Sequence, residues 1–153
     1  MSLSSAINRN DYVGNASAHV YNYTFRIFDE TDLVVIVRDT SDIETTLVLS
    51  TDYTVSSVGS TSGTITLVNA SQSWLTGGNL KSGYAITIRR ILPLVQETDI
   101  RNQGAFYPEI HEDQFDKIVM ISQQQGDDID RSLKLPQTIP STAFNPELPS
   151  TII

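Results

Sequence analysis

Along most of the chain apolar and polar residues exchange places at every second position, and past Pro108 the spacing lengthens to three and four. Tyr21, Tyr23, Phe25 and Ile27 alternate with Asn22, Thr24 and Arg26, a period of two that places the aromatic side chains on one buried face of a strand. Leu33 to Val37 is a continuous apolar run, followed by the polar Asp39-Thr40-Ser41-Asp42 and then by alternating Ile43, Thr45, Leu47 and Leu49. This reads as a hairpin whose first strand is central and covered on both sides. Tyr53 and Val55, then Ile65 and Leu67, flank the turn-rich Gly59-Ser60-Thr61-Ser62 and predict a second pair, and Tyr84, Ile86 and Ile88 close the series. Gly77-Gly78 reads as a turn after Trp74-Leu75. Six or seven short strands, each with one apolar face, must bury those faces on each other. The fold class is mainly β, an antiparallel β-sandwich or partly open barrel, followed by one long α-helix and an extended Pro-containing C-terminal segment.

The helix is predicted to start at Pro108-Glu109, where proline suits a first turn and Glu109, Glu112 and Asp113 complement the positive end of the dipole. Phe115, Ile118, Val119, Ile121, Ile129 and Leu133 form an apolar stripe, interrupted by Ser122, Gln125 and Gly126. A glycine there costs about 1 kcal/mol relative to alanine, so the helix needs support from outside itself. Pro136, Pro140, Pro146 and Pro149 forbid helix and favour an extended connector. The expected organisation is an arm over residues 1–9, the sandwich over 10–97, a connector over 98–108, an oligomerising helix over 109–135 and a linker over 136–153.

Composition narrows the function. The 153 residues include no cysteine, which removes disulfide scaffolds, thiol catalysis and cysteine-ligated metals. No segment approaches the roughly 20 apolar residues of a membrane span, and none near the amino terminus suits a signal peptide, so no membrane insertion and cytoplasmic synthesis are expected. The net charge of -8 argues against a nucleic-acid partner held through phosphate neutralisation. It is concentrated late in the chain, with -3 up to Pro108 and -5 beyond.

Candidate chemistry is sparse. His111-Glu112-Asp113-Gln114-Phe115 begins like a zinc-protease helix, but Phe115 stands where the second histidine ligand is needed. His19 has no acidic neighbour in sequence. Asp29, Glu30 and Asp32, and Asp127, Asp128 and Asp130, lack the glycine and closing glutamate of a calcium loop, and read as a solvated turn and a solvated helix end. Trp74 with Tyr53 and Tyr84 offers a sugar-stacking platform or, more simply, core. No residue takes a catalytic role, and no metal or cofactor is expected.

Several segments carry a family resemblance. Asp52-Tyr53-Thr54-Val55, Gly63-Thr64-Ile65-Thr66-Leu67, Ser82 to Arg90 and Leu92-Pro93-Leu94 resemble the amino-terminal domain of tail fibre and tailspike proteins, above all those of short-tailed phages. The segment Thr98 to Pro108 and the helix ending in Asp128-Ile129-Asp130-Arg131-Ser132-Leu133-Lys134-Leu135-Pro136 are similar to the family's neck, and Phe144 to Pro149 to its linker. The resemblance implies a structural, non-enzymatic virion protein that joins the host-attachment fibre to the tail. Its implied partners are phage tail proteins and a downstream fibre or another fibre protein.

Assembly also follows from the helix itself. A lone helix with a broken apolar seam is marginal in water, whereas copies side by side can bury Phe115, Ile118, Ile121, Ile129 and Leu133 and pair Gln125 with its symmetry mates. Those six residues are the expected oligomer interface, and the resemblance implies a homotrimer. The competing expectation is a monomer whose helix folds back on its own sandwich. For function, a carbohydrate-binding receptor-recognition module is the alternative to the tail anchor, and a small glycan hydrolase the third class.

Overall fold

Alternation in the sequence becomes alternation in burial. The computed structural model describes residues 5–95 and 108–133. Its elements are β1 (Arg9–Val13), β2 (Val20–Tyr23), a 3-10 turn (Glu30–Asp32), β3 (Leu33–Arg38), β4 (Glu44–Thr46), β5 (Tyr53–Val55), β6 (Gly63–Leu67), β7 (Leu75–Thr76), β8 (Asn79–Leu80), β9 (Ala85–Arg90) and α1 (Pro108–Asp130). A four-stranded sheet has the order β1-β9-β3-β4, a three-stranded sheet β2-β6-β5, and β7 and β8 form a small hairpin of their own; every strand pair is antiparallel.

The expected mainly β fold with one long helix is therefore present, built from more and shorter strands than the sequence suggests. Along β3, Leu33, Val35 and Val37 face the core while Val34 and Ile36 are half-covered on the other side. Along β9, Ile86, Ile88 and Arg90 face inward. Leu33, Val35, Val37, Ile86 and Ile88 meet Tyr21, Tyr23, Phe25, Ile27, Tyr53, Ile65 and Leu67 in one apolar cluster drawn from the two larger sheets and the chain between them. Tyr53 ties them together, its hydroxyl donating to the Leu33 carbonyl at 3.0 Å. Phe25 and Ile27 are buried as expected although the strand that leads to them ends at Tyr23.

Turns follow from local chemistry. Asp39 closes the β3–β4 hairpin by accepting from the Ser41 and Ile43 amides. Gly77 and Gly78, both at positive φ, make the two-residue link between β7 and β8. Gly63 is required for a different reason, since a Cβ there would fall 2.2 Å from the Tyr23 hydroxyl.

Several boundaries differ from the sequence reading. β1 includes Arg9, assigned above to the arm, because Arg9 pairs in register with Arg89 on β9. Ile43 is exposed, and β4 ends at Thr46 before the buried Leu47. α1 starts at Pro108 and ends at Asp130, where the Ser132 amide and hydroxyl both donate to the Ile129 carbonyl and tighten the last turn; residues 134–135 of the expected helix lie outside the described residues. Most of the expected connector, residues 98–107, and all of the expected linker, 136–153, lie outside the described residues. Asp32 is not solvated. It is buried and accepts from the Phe28 and Asp29 amides, as part of a capping box with Asp29.

Candidate assembly surface

The helix does fold back on its own β-sandwich, and it does so with its polar side. Asp113, Asp116, Met120, Gln123 and Gln124 recur at three- and four-residue steps and so share one face of α1. Arg26, projecting from the segment after β2, reaches Asp113 at 2.9 Å with one guanidinium nitrogen and Asp116 at 3.0 Å with another, while its plane stacks over Phe28. Arg90, at the inward end of β9, donates to the Gln123 side-chain oxygen at 2.7 Å and to the Arg26 carbonyl at 2.8 Å. Gln124 accepts the buried Leu92 amide at 2.8 Å, and Gln123 donates to the Ser5 carbonyl at 3.0 Å. Asn8 caps the Gln123 carbonyl, and Arg89 pairs with Asp128 near the helix end at 2.8 Å. Met120 is the one apolar side chain of α1 that is fully covered, at 0% exposure.

Burial shapes the charge of this contact. The Arg90 guanidinium is 1% exposed and lies over the Phe25 ring, and removal from water lowers its pKa to about 10 even though the nearby Asp32 carboxylate opposes the change.

The opposite side of α1 is apolar. At about 100° per residue, Ile118 stands roughly 160° from Met120 around the helix axis. Phe115, Ile118 and Ile129 are 66%, 60% and 57% exposed; Gln125 is exposed and Ile121 half-buried on the same side. Leu133, past the end of α1, is fully exposed. Of the six residues expected at an oligomer interface, Phe115, Ile118, Ile121, Gln125 and Ile129 thus lie on the side of α1 away from Met120, and Leu133 lies beyond the helix. Phe115, Ile118, Ile121 and Gln125 line one groove of about 490 Å³ with His111, Gln114 and Lys117. Leu94 and Val95 form its other wall, and sequence reasoning missed them because only the fold brings the chain after β9 alongside the helix.

Other candidates resolve differently. Trp74 and Tyr53 belong to the buried cluster and Tyr84 packs against it half-buried, so these rings do not form an open sugar platform. Exposed His19 faces the Asn79 side-chain oxygen across 3.2 Å. Asp128 is held by Arg89 and Asp127 by Arg131. Among the described residues, no three His, Asp or Glu side chains converge as a metal site, and no helix is long and apolar enough to cross a membrane.

No protein-family model matches the chain. Over 140 residues, 91% of this chain, it is 42% identical to the tail spike protein of Salmonella phage epsilon15. The chain spans 12% of that protein's length. The resemblance carried by the β5, β6 and β9 segments and by the helix therefore extends over nearly the whole chain, which is related in sequence to a phage tail spike protein.

Proposed function

We propose that this chain is a structural component of a phage tail, in which the β-sandwich attaches to tail proteins and α1 gathers copies of the chain, three by family resemblance. A fibre or spike, downstream in the same polypeptide or a separate protein, is thereby joined to the tail. The observation that carries this reading is the outward apolar row Phe115, Ile118 and Ile129 on a helix whose other face is already engaged by the sandwich. A helix serving only its own domain turns its apolar side inward. The 42% identity to a tail spike protein supports the tail setting. On this reading the protein resides in the virion tail after synthesis in the host cytoplasm, catalyses no reaction and needs no cofactor.

The test combines the mass of the purified chain in solution with its binding to tails assembled without their fibres. A discrete trimer that saturates a fixed number of tail sites is expected. A chain that is monomeric at every concentration and ignores the tails overturns the proposal, and a glycan-array signal would favour a carbohydrate-binding module instead.

A further inference from the structure

The contact between α1 and the β-sandwich has unusual contents for a permanent one. No residue of α1 belongs to the apolar cluster that holds the sheets together. Polar contacts with the helix among the described residues run from Arg26, Arg89, Arg90, the Leu92 amide, Asn8 and the Ser5 carbonyl to Asp113, Asp116, Gln123, Gln124 and Asp128. We infer that α1 is a releasable arm, latched to its β-sandwich by ion pairs and amide contacts, which leaves at raised ionic strength while the sandwich stays folded.

Three features support separation. The strand ladders and their shared core are complete within residues 9–90, so departure of the helix opens no sheet. Met120 is the one fully buried apolar side chain of α1 that release uncovers, and the polar groups that lose partners regain water. For Arg90 in particular, buried against Phe25 and bonded to two neutral oxygens, release ends a desolvation that its lowered pKa records. Finally, the Asp113 and Asp128 carboxylates are half-exposed, so mobile ions reach them, and screening weakens their pairs with Arg26 and Arg89 before that of the buried Asp116. The consequence is a joint: the helix, with whatever it carries, can change its direction relative to the anchored domain without unfolding it. This reading is independent of how many copies associate.

The absence of cysteine permits a direct test. Labels for distance measurement are placed at Thr45→Cys on β4 and Ser122→Cys on the outward side of α1, both exposed. The doubly labelled full chain is diluted into excess unlabelled chain so that only distances within one chain are read. Between about 0.02 and 1 M sodium chloride, the ratio of released to docked distances should rise about tenfold, with the near-ultraviolet circular dichroism of the sandwich unchanged. Asp113→Asn with Asp116→Asn keeps side-chain size, removes the charge that Arg26 grips, and should show the released distance already at low salt. One unchanging distance at all salt concentrations in both proteins overturns the inference. So does loss of the sandwich signal together with release, in either protein, because the helix would then belong to a single cooperative unit.

Discussion

Replacement of Ile118 by aspartate separates the stability of one chain from the association of several. Complete burial of an isoleucine side chain is worth about 1.5–3 kcal/mol. Ile118 is 60% exposed, so a neighbouring copy that covers it gains about 1–2 kcal/mol per chain. Across a trimer this is about 3–5 kcal/mol, or two to four powers of ten in the association constant at about 1.4 kcal/mol per tenfold. The aspartate adds the cost of bringing three unpaired carboxylates together in the same layer. Within the single chain the position touches no core, so folding stability should change by about 0.5 kcal/mol or less, as for surface substitutions in general. Light scattering over a micromolar dilution series should therefore show a trimeric parent and a monomeric Ile118→Asp variant, and thermal unfolding of dilute samples should give nearly equal midpoints. A variant that keeps the parent's mass refutes the role given to the outward face of α1. A variant that is monomeric because its sandwich has unfolded refutes the claim that this face lies apart from the core.

Two further outcomes follow from the core. Gly63→Ala would set a Cβ 2.2 Å from the Tyr23 hydroxyl and 2.4 Å from the Ser56 carbonyl, so denaturant unfolding should register a loss of about 1–3 kcal/mol or more; a loss under about 0.5 kcal/mol would mean that β2 and β6 yield more readily than their packing suggests. Burial raises the pKa values of Tyr21, Tyr23 and Tyr53, so the stability linked to their protonated hydroxyls is complete below the ordinary tyrosine value of about 10 and is lost as pH rises through the higher folded-state values. Absorbance near 295 nm should show these rings ionising together with unfolding; a smooth early titration in a still-folded protein would contradict their placement.

The sandwich was legible because its signal is local. Tyr21 and Tyr23, or Ile86 and Ile88, announce a buried face within a few residues, and Asp39 and Gly77-Gly78 announce their turns in the same way. β1 escaped because Arg-Asn-Asp-Tyr-Val has no apolar alternation; its place is set by pairing with β9, some 76 positions later in the chain. The helix was legible in type and in its apolar row, and those residues do share one side. What the sequence did not reveal is which side would meet the sandwich. Arg26 and Asp116 are 90 positions apart, and Leu92 and Gln124 are 32 apart, so the polar docking face has no signature in any short window. Asp32 shows the reverse error: an acidic run suggests solvent, whereas a capping box buried one of its carboxylates.

The lateral limits of the two larger sheets bear on how copies of this chain avoid sticking to one another strand by strand. One sheet ends in β4 and the other in β5, each only three residues long, and the opposite margin of the first carries the charged pair Arg9 and Asp11. Short or charged margins are poor templates for an incoming strand from another molecule. At high protein concentration the margins at β1, β4 and β5 thus resist zipping into continuous ribbons, and contacts there are left to surfaces that recognise by side chain rather than by backbone.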